Sequence, residues 1–306
     1  MKKKIPLGAA VAIAIGIATA LVVATGARAA EPAACAAPFV ERDRVTIAVE
    51  GKGPDVVLIP GLSSPRAVWN ATAQRLKGQY RLHIVQVRGF GDNPGINAAG
   101  PVLDPMMQEI ATYIGDCIAG QGRPAPAIIG HSLGGLTAMM IAAREPKAVG
   151  KLMVVDSLPF FGMLFGPTAT VATVEPQAAA MRTALAARDT AEADERTLQI
   201  MSATEAGRAQ VKAWTTAADA RVAAQLMYED MTTDLRPELG KIAAPLTMLY
   251  PLDESAMPAA TVDRLYRGAY GPVKGATLTR IDDSRHFIML DQPDAFAKAV
   301  DAFLNE

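Results

Sequence analysis

The sequence predicts an α/β fold in which a mostly parallel sheet is covered by helices on both faces. Apolar runs typical of strands alternate with helix-like stretches along most of the chain. Some of these runs, such as residues 56–59, are apolar at every position, as in a strand buried on both faces. One long helix-rich segment, residues 157–241, interrupts the alternation, and the sheet is therefore expected to carry a helical insertion.

Seven apolar runs are predicted to be strands, namely residues 45–49, 56–60, 82–87, 127–130, 152–156, 246–250 and 276–281. Helices are predicted between several of them, over residues 66–77, 104–119 and 136–144. Strands that alternate with helices in this way are joined by crossover connections, which make neighbouring strands parallel.

The insertion at residues 157–241 shows no convincing strand. It is rich in Ala, Met, Glu, Arg and Gln, which favour helix, and four helices are predicted near residues 175–187, 191–201, 205–215 and 218–232. A helical segment of this length between two strands of one sheet is interpreted as a lid. On this interpretation the core domain comprises residues 30–156 and 242–306.

The first 29 residues are predicted to be a secretory signal. Consecutive lysines precede an apolar run over residues 5–24, and the small side chains of Ala27 and Ala29 suit cleavage after Ala29. A periplasmic or secreted protein is then expected, with no stable membrane insertion after the signal is removed. The alternative is an N-terminal membrane anchor, because about 20 apolar residues suffice to span a bilayer.

The charge balance gives no reason to expect a nucleic-acid partner, since 30 Lys and Arg stand against 31 Asp and Glu.

Cys35 and Cys117 could pair in an oxidising compartment, but Cys117 could equally be a buried thiol, and the sequence leaves both open. No group of His, Cys and carboxylates has metal-ligand spacing, and no glycine-rich phosphate motif occurs. Neither a metal nor a cofactor is expected.

The motif G-H-S-L-G-G at residues 130–135 makes Ser132 the candidate nucleophile. It follows a predicted strand and opens a predicted helix, the context in which G-x-S-x-G places a serine on a sharp turn. Gly130 and Gly134 flank the serine because a Cβ at either position would collide with neighbouring backbone. The helix start supplies unpaired N–H groups and a positive dipole end, which favour a developing negative charge.

His286 is the candidate base for this serine. A serine hydroxyl is a poor nucleophile unless a histidine, held by a carboxylate, takes its proton. Of the three histidines in the chain, His131 lies inside the turn and His83 lies in a predicted strand ahead of the nucleophile. His286 follows the last predicted strand, at the edge of the sheet where open α/β folds bind ligands.

Two aspartates between Ser132 and His286 follow predicted strands and could orient the imidazole. Asp253 comes just after the strand at residues 246–250, and Asp156 ends the preceding one. Asp253 is the preferred assignment. The other interpretation of Asp156 is that it caps the chain where the insertion begins.

These features resemble the α/β-hydrolase family over nearly all of the chain after the predicted signal. The family's order of nucleophile, acid and histidine is found here. The resemblance implies that Ser132 is the nucleophile, Asp253 the orienting acid and His286 the base, with the backbone amides of Leu62 and Leu133 as the oxyanion hole. The motifs that carry the resemblance are P-G-L at residues 60–62, R-G-F-G at 88–91, G-H-S-L-G-G at 130–135, the loop that ends in Asp253, and H-F at 286–287.

The resemblance implies a serine hydrolase that cleaves carboxylic esters of a small-molecule acyl substrate through an acyl-enzyme. The same triad would serve hydrolysis of lactones, amides or carbon–carbon bonds, acyl transfer, or perhydrolysis, and the fold does not choose between them. A non-catalytic binding protein on this scaffold is a third interpretation. Phe160, Phe161 and Phe165, at the start of the insertion, are candidates for the acyl pocket or for packing of the insertion on the core.

Overall fold

The computed structural model describes residues 38–305 together with Met1 and Cys35. Apart from Met1, the predicted signal over residues 1–29 lies outside the described residues. Within the described part, eight strands form one sheet: β1 (Phe39–Glu41), β2 (Val45–Gly51), β3 (Asp55–Ile59), β4 (Arg81–Val87), β5 (Ala127–His131), β6 (Lys151–Val155), β7 (Leu246–Leu252) and β8 (Thr277–Asp282).

The sheet is parallel except at one edge, as the sequence predicts. Its strand order is β1-β2-β4-β3-β5-β6-β7-β8, and every pair from β4 to β8 is parallel. β2 runs antiparallel to both β4 and β1. β1 escaped prediction because it is three residues long and buries only Val40. All five residues of β3 are buried, which explains its continuous apolar sequence.

Helices cover both faces of the sheet. Two clusters of buried side chains lie on opposite faces, one with Met139 and Tyr266 and the other with Trp69 and Phe296. The helices are α1 (Asn70–Leu76), α2 (Leu103–Cys117), α3 (Leu133–Arg144), α4 (Val171–Ala186), α5 (Glu195–Met201), α6 (Glu205–Ala217), α7 (Ala220–Thr232), α8 (Ala259–Tyr270), α9 (Ile288–Asp291) and α10 (Pro293–Asn305).

The four helices α4 to α7 lie between β6 and β7, where the helix-rich insertion is predicted. Each begins at a residue whose side chain accepts a hydrogen bond from the first turn, which is why the helices start where they do: Thr170, Asp194, Thr204 and Asp219. Within residues 38–305, no helix combines the length and apolar character needed to cross a membrane. The lid role of this insertion stays a prediction.

A disulfide joins Cys35 to Cys117, which resolves the alternative that the sequence leaves open. Cys35 precedes β1, and Cys117 is the last residue of α2. The bridge spans 82 positions of the chain and therefore ties the region before the sheet to the core.

Removing this disulfide is expected to cost about 4 kcal/mol of unfolding free energy, because a closed loop of this length restricts the unfolded chain. The measurement is chemical denaturation of the Cys35→Ser, Cys117→Ser double variant beside the native protein, each with and without reductant. We expect reductant to lower the midpoint of the native protein and to leave that of the variant unchanged. Equal midpoints for all four samples would contradict the expectation.

Candidate active site

Ser132 occupies a strained turn between β5 and α3. Its backbone angles are φ 53° and ψ −125°, a conformation that is uncommon for a residue with a side chain. A Cβ at Gly130 would collide with the carbonyl oxygen of Gly134, and a Cβ at Gly134 with that of Ile59. The predicted reason for both glycines is therefore confirmed. The helix begins at Leu133, directly after the serine.

The loop that follows β3 passes close to this turn. A Cβ at Gly61 would lie 3.0 Å from both the Cβ of Ser132 and Nδ1 of His131. Neither the amide of Leu62 nor that of Leu133 donates a hydrogen bond to any residue that the structure describes. Both N–H groups are thus available to a ligand beside Ser132, which is the condition for the predicted oxyanion hole.

The imidazole of His286 is held by Asp156. Its Nδ1 donates to Oδ2 of Asp156 at 2.6 Å, and the two side chains are 21% and 12% exposed. Asp156 follows β6 and His286 follows β8. The backbone amide of Ser132 donates to the carbonyl of Val155 at 2.9 Å, and Asp156 is the next residue in the chain after Val155. The sheet therefore brings Ser132, Asp156 and His286 to the same edge.

The prediction that Asp253 orients the imidazole is corrected by these contacts. The carboxylate of Asp253 accepts from the Arg285 guanidinium at 2.7 Å and from the Ser255 amide at 3.0 Å. The Ser255 hydroxyl and then Arg285 lower the pKa of Asp253. The physical reason is competition. The guanidinium of Arg285, which directly precedes His286, pairs with Asp253, the acid that follows β7. Asp156, the other candidate from the sequence, accepts the hydrogen bond from His286 instead.

Tyr266 completes the environment of the acid and was missed by sequence reasoning. Its hydroxyl donates to Oδ1 of Asp156, the oxygen that His286 leaves free. Burial, followed by the charge of Asp156, raises the pKa of Tyr266 well above its usual value, so the phenol remains a donor. Tyr270, one helical turn later in α8, donates to the carbonyl of Ser157 at 2.7 Å. A tyrosine pair at i, i+4 on a helix carries no sequence signal for this role.

His131 supports the base from the turn itself. Its Nε2 donates to the carbonyl oxygen of His286 at 3.0 Å, and the two rings lie 4.7 Å apart between centroids. Burial, followed by the charge of His286, lowers the pKa of His131 to about 3, so this ring is neutral at physiological pH. The residue before the nucleophile thus positions the backbone of the histidine that would activate it.

His83 lies outside this arrangement, in agreement with its exclusion as the base. It is fully buried in β4, where Nε2 contacts Oδ1 of Asp55 at 2.8 Å and Nδ1 contacts the hydroxyl of Tyr113 at 2.6 Å. Asp55 and His83 lie at the start of their strands, whereas Ser132 follows the end of β5. Burial lowers the pKa of His83 despite the neighbouring carboxylate.

The functional groups at the site are a hydroxyl, an imidazole and a carboxylate. Since Nδ1 of His286 is engaged with Asp156, its Nε2 is the atom that remains to take a proton. The Ser132 hydroxyl makes no hydrogen bond to a described residue, and in the absence of substrate such catalytic hydrogen bonds are often long. No three His, Cys, Asp or Glu side chains are grouped as metal ligands in the described part of the chain.

The three phenylalanines proposed for an acyl pocket differ in environment. Phe160 is fully buried against Ala169 and Val174 and lies under the guanidinium of Arg236, which is the surrounding of a packing residue. Phe165 is 49% exposed, and its ring lies 6.1 Å from that of Phe161. Phe160 is thus a packing residue of the insertion, and the pocket role of Phe161 and Phe165 stays a prediction.

Comparison with known proteins extends this description. A profile of the alpha/beta hydrolase family matches residues 56–299. The chain is similar to the pimeloyl-[acyl-carrier protein] methyl ester esterase of Aeromonas salmonicida, with 35% identity over 120 residues, 38% of this chain and 44% of the relative. It is also similar to that of Aeromonas hydrophila, with 26% identity over 272 residues, 85% of this chain and 100% of the relative. The match thus spans less than half the length of the first relative.

The fold is also similar to solved structures. The enol-lactonase of Burkholderia xenovorans LB400 superposes with a TM-score of 0.67 at 19% identity, covering 88% of this chain and 100% of that protein. At this identity the likeness concerns the fold alone. It shows that the sheet and its helices have the arrangement of known hydrolases.

Proposed function

The chain belongs to the alpha/beta hydrolase family, and on that premise we propose that it is a serine hydrolase that cleaves carboxylic esters through an acyl-enzyme. The observation that carries the proposal is the hydrogen bond between His286 and Asp156 beside the strained turn of Ser132. Ser132, His286 and Asp156 are suited to the roles of nucleophile, base and orienting acid that acyl transfer requires. The esterase names of the relatives support the same reaction.

Acylation follows from the positions of these groups. Ser132 Oγ attacks the ester carbonyl while Nε2 of His286 takes the hydroxyl proton. Asp156 stabilises the imidazolium that forms, because its carboxylate already accepts the Nδ1 proton. The imidazolium then protonates the leaving alcohol, which departs and leaves the acyl group on Ser132.

The oxyanion hole and a water molecule complete the cycle. The carbonyl oxygen becomes negative in each tetrahedral intermediate, and the amides of Leu62 and Leu133 are the donors that would meet it, each worth roughly 3 kcal/mol. Water, deprotonated by His286, then attacks the acyl-enzyme, and the imidazolium returns this proton to Oγ of Ser132 as the acid departs. The positive end of α3 favours the same negative charge.

Export of the protein is part of this proposal. The signal-like residues 1–29 support it, as does the Cys35–Cys117 disulfide, because disulfides persist in oxidising compartments. The substrate would then be an ester met outside the cytoplasm.

The proposal is tested with a panel of one acyl group presented as aryl ester, alkyl ester, lactone and amide. Stopped reactions are analysed by intact mass and peptide mapping. We expect turnover of the esters and an acyl adduct on Ser132. Turnover of the lactone or amide alone would replace ester hydrolysis by that reaction, and turnover without an adduct on Ser132 would remove the mechanism.

A further inference from the structure

One carboxyl group of the insertion faces the site without a role in the reaction above. Asp230 lies near the end of α7 and has no hydrogen bond or ion pair with any residue that the structure describes. Asp230 is half-buried, and a carboxyl group in that position without a partner requires an explanation, since charged side chains with reduced contact with water are normally paired.

The path of α7 brings this residue to the site. Before its first turn, the amide of Asp219 donates to the carbonyl of Gly89 at 2.7 Å, just after β4. After its last turn, the amide of Leu235 donates to the carbonyl of Pro159 at 2.8 Å, just after β6. The helix therefore spans the carboxyl ends of the strands between which Ser132 lies.

The helical repeat turns Asp230 inward. Ala223 and Leu226, seven and four positions earlier, share its face of α7 and are fully buried. The side chain of Asp230 thus lies on the inner side of α7, where it is half-buried, and the charge of His286 acts on it.

Among the residues that the structure describes, no cation forms an ion pair with this carboxyl group. On α4, which packs against α7, Arg182 lies over the ring of Tyr228 and Glu175 accepts from its hydroxyl. In the segment after α7, Arg236 pairs with Asp234. From the loop after β8, His286 is bonded to Asp156.

We propose that Asp230 is the specificity-determining residue of this site and selects ester substrates that carry a cationic group, such as a quaternary ammonium. The inference rests on the proposed function, because the cation must belong to an ester that Ser132 cleaves. A carboxylate with no partner on the protein gains most from a positively charged ligand and disfavours an anionic one.

The selection should depend on pH. Burial raises the pKa of Asp230 to about 7, an effect that the charge of His286 partly offsets. The group is therefore neutral below this pH and negative above it, and preference for a cation should rise as the pH passes through this range. A pH effect that is common to every ester cancels from a ratio between two esters.

The experiment uses two pairs of esters, each pair differing by one charge. One pair is a choline ester and its isostere with a tert-butyl group in place of the trimethylammonium group. The other carries the same two groups at the end of the acyl chain. The ratio of kcat/KM within each pair is measured from about pH 5.5 to about pH 8.5, on either side of the pKa of Asp230.

We expect the ratio for at least one pair to rise about tenfold with pH in the native protein and to stay flat in Asp230→Asn. The matched control is Asp189→Asn, which removes an exposed charge from the same insertion and should behave as the native protein does. The Tm of Asp230→Asn should exceed that of the native protein at the upper pH and differ less at the lower pH, because a carboxyl group with a raised pKa destabilises the fold once it ionises.

The two proposals fail in different ways. Turnover with flat ratios for both pairs, or identical ratios in Asp230→Asn and the native protein, would overturn the cation selection and leave ester hydrolysis standing. Absence of turnover for all esters, with Ser132 unmodified, would overturn ester hydrolysis and the selection together.

Discussion

Replacing Ser132 by alanine is expected to lower kcat for a short-chain aryl ester by about 10⁶-fold, the largest effect predicted for this chain. The variant keeps the backbone amides of Leu62 and Leu133 and the imidazole of His286 but loses the oxygen atom proposed to form the acyl-enzyme. The measurement is steady-state kinetics at a high enzyme concentration that still lies well below that of the ester, so that a small residual rate can be recorded.

Ser255→Ala is the matched control for this substitution. Ser255 is an exposed serine that bonds Asp253, the acid that the structure separates from His286. Its loss should leave kcat within a few-fold of the native value. A rate for Ser132→Ala close to that of the control would contradict the nucleophile assignment.

Replacing Asp156 by asparagine is expected to lower kcat by about 10⁴-fold, the second largest effect. An amide in place of the carboxylate can hold the His286 ring, but it carries no negative charge to stabilise the imidazolium, and its NH₂ group favours the wrong tautomer of the imidazole. KM should change little, because Asp156 contacts the histidine and Tyr266.

Asp253→Asn separates the two acids. Asparagine can still accept a hydrogen bond from Arg285, and the substitution should leave kcat within a few-fold of the native value. The reverse result, a large loss in Asp253→Asn and a small one in Asp156→Asn, would restore the assignment that the sequence favours and contradict the geometry found here.

The sheet was predictable because local patterns determine it. The seven predicted strands lie within two residues of β2 to β8 at either end, since apolar runs mark buried parallel strands wherever the chain folds. β1 was not predictable, because pairing with β2 rather than its own sequence makes it a strand.

The site was predictable only in part. Ser132 stands in a motif with a steric reason, and His286 follows from the scarcity of histidine. The choice between Asp156 and Asp253 depends on where Arg285 points, a contact between distant segments that local sequence does not encode. The position of Asp230 was not predictable for the same reason, because the inner face of α7 is defined only once the helix has packed.

The central claim is that Asp156 activates Ser132 through His286. The most direct test is the second-order rate at which a fluorophosphonate modifies Ser132, followed by intact mass, since this reaction reports the reactivity of the serine without a known substrate. We predict a rate in Asp156→Asn that is roughly 10³-fold or more below the native rate, with Asp253→Asn close to native. An unaltered rate in Asp156→Asn would contradict the account.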